Sequence, residues 1–416
     1  MKPTGTIPAD YAFEGERLLI AGHDAEHWIA QAGDTPLFVY DLAIVAARVA
    51  AFRAAMPDSV ALHYAIKANP HPDLLAGVAP LVDGLDVASA GEMERALAFM
   101  PAADISFAGP GKRDDELAAA IRAGVTLNLE STAEGMRALA IGRSLGVRPQ
   151  LAIRVNPDFE LKGSGMRMGG RATPFGMDTS EVAPLVDAID AGDGDWCGLH
   201  IFAGSQALDA AALIETQAAT LALAARLAAE VGRAPPLVNL GGGFGIPYFA
   251  NEAPIDIAAI GAALRAQLAS LPPVLSGTRF AIELGRWLVG EAGVYLTRIV
   301  DRKVSNGETF LIVDGGLHHQ LAASGNFGTV VRRNYPIAVA SRAGIGGEVE
   351  EVSVVGCLCT PLDKLGDKVA LPPTQPGDVI ALFMAGAYGA SASPAAFLGH
   401  PPAREIVVNT RSSPRS

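Results

Sequence analysis

The stretch HYAIKANP, residues 63–70, decides how the rest of the chain is read. Leu62, Tyr64 and Ile66 alternate as in a half-buried strand, and the run ends in Lys67, followed at once by Ala-Asn-Pro. A lysine there either sits on a sheet edge facing solvent or stands at a strand end where chemistry is done. Similar β-rich runs fall at 61–66, 84–87, 104–107, 126–129, 151–155, 197–202, 237–240 and 279–283. Alanine- and leucine-rich segments with helical spacing lie between them, among them 92–99, 115–123, 133–145 and 210–230. Eight strands alternating with helices is the count of a (β/α)8 barrel, so the expected fold class is α/β. The later intervals are longer and hold insertions, including the glycine-rich FELKGSGMRMGGRATPFGMD at 159–178.

After about residue 286 the pattern changes. GVYLTRIV, TFLIVDGG, EVSVVGCL and DVIALFMAG read as strands separated by turn signals, with little helix. RLLIAG near the start is also strand-like. The expected organisation is a barrel over 37–285 and a mostly β, barrel-like domain made of 1–36 and 286–416. The polar tail NTRSSPRS reads as loose.

Composition narrows the function classes. The 416 residues exceed one ordinary core, and with 50% hydrophobic and 18% charged residues the chain is globular. No uncharged apolar run is long enough to span a bilayer, and the start lacks the layout of a signal peptide. A formal charge of -12 argues against nucleic-acid binding, which needs a basic surface. Cys197, Cys357 and Cys359 are too few for a disulfide framework and lack paired zinc spacing. The expectations are a cytoplasmic protein with no metal, no membrane and no nucleic-acid partner.

Chemistry in such a barrel sits at the C-terminal strand ends. Those positions hold Lys67, Asp86 with Ser89, Arg154 with Asn156, His200, Gly241, Gly242 and Gly243, and Glu283 with Arg286. GGGFGIPY is either a plain turn or a loop whose backbone amides approach an anion. Paired with a lysine, it suits a phosphate-bearing aldehyde, which a lysine binds as a Schiff base. For pyridoxal 5'-phosphate, a carboxylate such as Glu283 keeps the ring nitrogen protonated and the ring a strong electron sink.

These residues resemble the fold-type III pyridoxal-phosphate decarboxylases, the group of diaminopimelate, ornithine and arginine decarboxylases. YAIKAN, GLHIFAGSQ, GGGFG, ELGR, GCLCTPLDKL and GAYGAS occur in that family's order across nearly the whole chain. The resemblance implies that Lys67 binds the cofactor, with Asp86 near it and Arg154 under the ring's 3-hydroxyl side. It places Gly241, Gly242, Gly243, Ser205, Arg286 and Tyr388 around the phosphate and Glu283 at the ring nitrogen. Cys359 enters from a neighbouring subunit as the acid that returns a proton, so a homodimer with shared active sites is implied.

Two departures bear on the substrate. Diaminopimelate decarboxylases read His-x-His-x-Gly-Ser, whereas this chain has His200-Ile201-Phe202-Ala203-Gly204-Ser205. Phe202 takes the stacking position, and His200 is read as a satisfied core histidine. The acid after the cysteine, which faces a distal ammonium in the relatives, is Thr360 here. A buried ammonium without a carboxylate is poorly tolerated, so the expected substrate lacks one unless Asp363 substitutes. CTPLDKLGD and FLGHP resemble a biosynthetic-cluster subgroup that includes enzymes acting on amino acids tethered to an acyl carrier protein and members associated with exosortase systems. A glutamyl-like, carrier-tethered amino acid is the expectation, with a diaminopimelate decarboxylase making lysine as the alternative. The 161–178 insertion either borders the entrance or serves as a dimer-contact loop. Arg332 and Arg333 either bind a substrate carboxylate or carrier phosphate or form a solvated basic pair. An alanine racemase would place an arginine at the ring nitrogen, against Glu283, and a non-catalytic homologue would lose Lys67, Glu283 or Cys359.

Overall fold

The computed structural model describes residues 1–160, 172–325, 332–341 and 347–409, together with the backbone of 166–167. Residues 161–165 and 168–171 of the 161–178 insertion and most of the tail lie outside the described residues. The chain divides into two units: 48–246 with 254–285, and 1–47 with 247–253 and 286–416.

The first unit is a closed barrel of eight parallel strands: β1 Val60–Ala65, β2 Gly84–Val87, β3 Ile105–Phe107, β4 Thr126–Leu129, β5 Gln150–Val155, β6 Asp195–Ile201, β7 Leu237–Asn239 and β8 Arg279–Leu284. Seven neighbours follow chain order, and β8 closes on β1 with Glu283 opposite His63. Burial on both faces is what a parallel barrel demands, and β2, for example, is buried at all four positions. The intervening helices start at side-chain caps: Ser89 Oγ accepts from the Glu92 amide at 3.1 Å, and Ser131 Oγ from the Glu134 amide at 3.2 Å. Ser89, expected at the strand ends as a site residue, is therefore a helix cap.

Register sets which polar side chains meet. His200 on β6 lies opposite Arg154 on β5 and Asn239 on β7, while Asp86 on β2 lies opposite Ala65 on β1 and Ser106 on β3. A one-residue slip would turn these groups to the other face. Lys67 does not end its strand. β1 stops at Ala65, and Ile66–Ala68 forms a turn of 3-10 helix. The Tyr64 hydroxyl donates to the Asn69 carbonyl at 2.9 Å, and the His71 amide donates to Asn69 Oδ1 at 3.1 Å, which curls the chain ahead of Pro70.

The second unit is built on an antiparallel-rich sheet around the long strand Gly293–Ser305. That strand pairs with Glu308–Val313, Val379–Leu382 and Leu37–Asp41, and Arg404–Val408 adds alongside Leu37–Asp41. RLLIAG contributes a strand, Arg17–Ile20, to a small three-stranded sheet of the same unit. Among the described residues, no helix is long and apolar enough to cross a membrane.

A buried ion pair stands beside the site strands. Lys112 Nζ lies 2.6 Å from Glu134 Oε1 and donates to the Gly109 and Asn128 carbonyls at 2.7 and 2.9 Å. Burial pulls the Lys112 pKa below its ordinary value, against the pull of Glu134. Removing the cation strands a carboxylate in the interior. A Lys112→Met variant should lose about 3–5 kcal/mol of stability in urea unfolding, and adding Glu134→Gln should recover much of it.

Candidate active site

The C-terminal ends of β6, β7 and β8 converge on Glu283. Its Oε2 lies 2.9 Å from His200 Nε2 and accepts from Asn239 Nδ2 at 3.1 Å. Burial alone would raise its pKa, but His200, then Lys67 and Arg154, outweigh it and hold the carboxyl down at about 2. His200 is thus not a satisfied core histidine. It faces the buried carboxylate, and its Nδ1 has no hydrogen-bond partner among the described residues.

Asn239 does a second task. Its Oδ1 accepts from the Gly241 amide at 2.8 Å, and the Glu283 amide donates to the Gly241 carbonyl at 2.9 Å. These bonds fix the turn after β7, where Gly241 and Gly243 have φ of 70° and 79°. A Cβ on Gly242 would meet the Glu283 carbonyl oxygen at 1.9 Å. Glycine is required here by both conformation and space.

Lys67 is exposed, with its Nζ 6.0 Å from the centre of the Phe202 ring. Asp86 Oδ1 lies 3.3 Å from His63 Nδ1 and accepts from the Ser106 hydroxyl, while its buried Oδ2 has no hydrogen-bond partner among the described residues. Burial pulls His63 down, but Asp86 outweighs it and the His63 pKa rises. Arg154 pairs with Glu130 at 2.8 Å, and its guanidinium lies 5.0 Å from the Phe175 ring centre. The Gly109 and Gly176 amides, each at 2.7 Å, also bond Glu130. Ser205 lies in the two-residue strand Gly204–Ser205, which pairs with Met166–Arg167.

The remaining expected site residues belong to the other unit. Arg286 opens the helix Arg286–Val289, with its guanidinium 4.9 Å from the Tyr388 ring centre and 5.8 Å from that of Tyr248. Cys359 is exposed and Thr360 half-buried. Asp363 is buried and accepts from the Leu317 amide at 2.7 Å and the Leu358 amide at 2.9 Å. Arg332 donates to the Lys364 and Leu362 carbonyls at 3.2 and 3.3 Å. Arg333 pairs with Glu252 at 3.0 Å and lies over Phe249.

A cavity of about 590 Å³ opens at the opposite mouth of the barrel, lined by residues such as Thr126, Gln150, Cys197 and Arg279. It begins where the strands begin and reaches up the barrel interior to His63, Ser106 and Asn239, beneath Asp86 and Glu283, but neither Lys67 nor Gly241 lines it.

The strand-end residues suit pyridoxal phosphate. An ionised carboxylate matches a protonated ring nitrogen, a glycine turn matches a phosphate, and the orphaned buried atoms His200 Nδ1 and Asp86 Oδ2 await polar partners. Residues 42–290 match the family model described as pyridoxal-dependent decarboxylase, pyridoxal binding domain. The chain belongs to the pyridoxal-dependent decarboxylases.

It is 36% identical over 380 residues to a Niallia circulans decarboxylase of the L-glutamyl group on the BtrI acyl-carrier protein, covering 90% of this chain and 89% of that one. A Staphylococcus aureus decarboxylase of an L-alanin-3-ylcarbamoylmethyl 2-hydroxybutanedioate is 30% identical over 377 residues, covering 88% and 92%. The solved diaminopimelate decarboxylase of M. jannaschii with L-lysine superposes at a TM-score of 0.88 with 25% identity, covering 97% of this chain and 94% of that one. The enzyme is a decarboxylase, and pyridoxal phosphate is its cofactor.

Depression of the Glu283 pKa couples stability to pH. The contribution is fully present above the ordinary value of 4.5 and is lost as pH falls toward about 2. The difference in unfolding free energy between the unaltered enzyme and Glu283→Gln should therefore shrink as pH is lowered through that window, measured by denaturant titration. A difference independent of pH would contradict an ionised Glu283.

Proposed function

We propose that the enzyme removes the α-carboxylate of an amino acid whose distal end is acylated, a glutamyl-like group carried on an acyl carrier protein being the foremost case. The observation that carries this is Thr360, a hydroxyl where related decarboxylases hold an acid. Asp363, the acid that could have replaced it, turns inward and staples two backbone amides instead. The named substrates of two relatives support the same choice. One is an L-glutamyl group on a carrier protein, and the other bears its side-chain nitrogen within a carbamoyl group. Neither presents a distal ammonium.

When bound, pyridoxal phosphate supplies an electron sink for the pair left on the α-carbon by departing carbon dioxide. Lys67 is proposed to anchor it, Phe202 to stack against it, and Gly241, Gly242 and Gly243, with Ser205, Arg286 and Tyr388, to hold its phosphate. Asp86 sits near the lysine in this assignment, and Glu283, kept ionised chiefly by His200, would accept a hydrogen bond from a protonated ring nitrogen. Arg154 orients the 3-hydroxyl side.

Cys359 is proposed to deliver the returning proton from the second copy of a homodimer. Its exposure supports that assignment, as do the exposed apolar side chains Leu362, Phe397 and Leu398 in the same unit (57, 44 and 54%). Arg332 and Arg333 keep their proposed place as ligands of a substrate carboxylate or carrier phosphate, although each already holds internal partners.

Lys67→Ala should lose both the visible absorbance of the lysine-bound cofactor and all turnover. Surviving turnover would end the assignment. Thr360→Glu should raise kcat/KM for free meso-diaminopimelate by about tenfold, ~1.4 kcal/mol of selectivity, measured by carbon dioxide release. No gain would remove Thr360 from the substrate-facing position.

A further inference from the structure

Three separated segments of the flanking unit bring together ligand-type side chains that the decarboxylation chemistry does not use. His318, Cys357 and His400 each place one donor atom within 4.8 Å of the others, and Cys357 Sγ lies 3.8 Å from His400 Nδ1. His318 is wholly buried, and neither of its ring nitrogens has a hydrogen-bond partner among the described residues. A buried imidazole with both nitrogens unsatisfied is rare unless another group takes a lone pair. The adjacent His319 makes the contrast: its Nδ1 lies 3.0 Å from the Tyr295 hydroxyl and its Nε2 2.9 Å from the Pro401 carbonyl.

The backbone around the three donors is held in place. Asp363 takes the amides of Leu317 and Leu358, the neighbours of His318 and Cys357. The contact from His319 to Pro401 fixes the residue next to His400. A tetrahedral ion with ligand bonds of about 2.0–2.3 Å sets adjacent donors about 3.3–3.8 Å apart. The sulfur and the His400 nitrogen already meet that spacing, and the widest separation exceeds it by about 1 Å. Two imidazoles and a thiolate select a borderline-soft transition metal over calcium or magnesium.

We propose that His318, Cys357 and His400 bind one divalent transition-metal ion of the zinc class, its fourth position open to water. The site goes beyond the decarboxylase reading and stands independently of it. The ion ties the segment around His400 to the loops at 315–318 and 356–359, and so fixes the chain two residues from Cys359. Spacing hid the set in the sequence, because 39 residues separate His318 from Cys357 (357 − 318) and 43 separate Cys357 from His400 (400 − 357).

The test uses tag-free, reduced holoenzyme stripped with a chelator, then titrated with zinc or cobalt(II). One equivalent of zinc should bind and raise the melting temperature, and cobalt should produce a thiolate-to-metal charge-transfer band in the near ultraviolet. Cys357→Ser should abolish that band, and Cys357→Ser and His400→Ala should each weaken zinc at least tenfold, with circular dichroism confirming that both half-buried sites tolerate the change. A control, His23→Ala, should bind as the unaltered protein does. Absence of zinc binding, absence of the charge-transfer band, or variants that bind zinc as tightly as the unaltered protein would overturn the site.

Discussion

One buried carboxylate organises the barrel's C-terminal end. Glu283 lies in an environment that by itself favours the neutral acid, and it stays ionised because His200, then Lys67 and Arg154, outweigh its burial, while Asn239 donates to it at 3.1 Å. The same asparagine anchors the glycine turn through the Gly241 amide, so the buried charge and the glycine turn share one support. Arg154, held by Glu130, adds positive potential from the neighbouring strand. Preorganisation of this kind costs folding free energy, which the strand register and close packing must offset.

The flanking unit is arranged on a similar principle, with carboxylates acting as staples instead of surface charges. Asp363 turns inward to two amides, which leaves Thr360 as the polar side chain after Cys359. Acidity is thereby spent on loop geometry. The proposed preference for an acylated amino acid rests on that distinction, since a buried distal ammonium would need a carboxylate partner.

The strands were legible because their signal is local. Hydrophobic runs bounded by turn residues placed all eight barrel strands within a residue or two. Lys67, Glu283 and the triple glycine stood out because polar groups at strand ends are few. What the sequence hid was non-local. Nothing in the spacing tells that His200 faces a carboxylate 83 residues later (283 − 200), or that Asn239 braces both Glu283 and Gly241. The segment 247–253 reads as a continuation of the glycine loop, yet Tyr248 packs with Arg286 and Tyr335 in the flanking unit. The turn carrying Lys67 was missed because Ile66 continues the strand's alternation while hydrogen bonds around Asn69 end it.

The central claim is tested most directly by carbon dioxide release from the pyridoxal-phosphate-loaded enzyme. A glutamyl-loaded acyl carrier protein would be compared with free glutamate, meso-diaminopimelate, ornithine, arginine and lysine. The account predicts turnover of the carrier-bound glutamyl group, with the free diamino acids left essentially untouched. Rapid turnover of meso-diaminopimelate, or of any amino acid with a free distal ammonium, would contradict it.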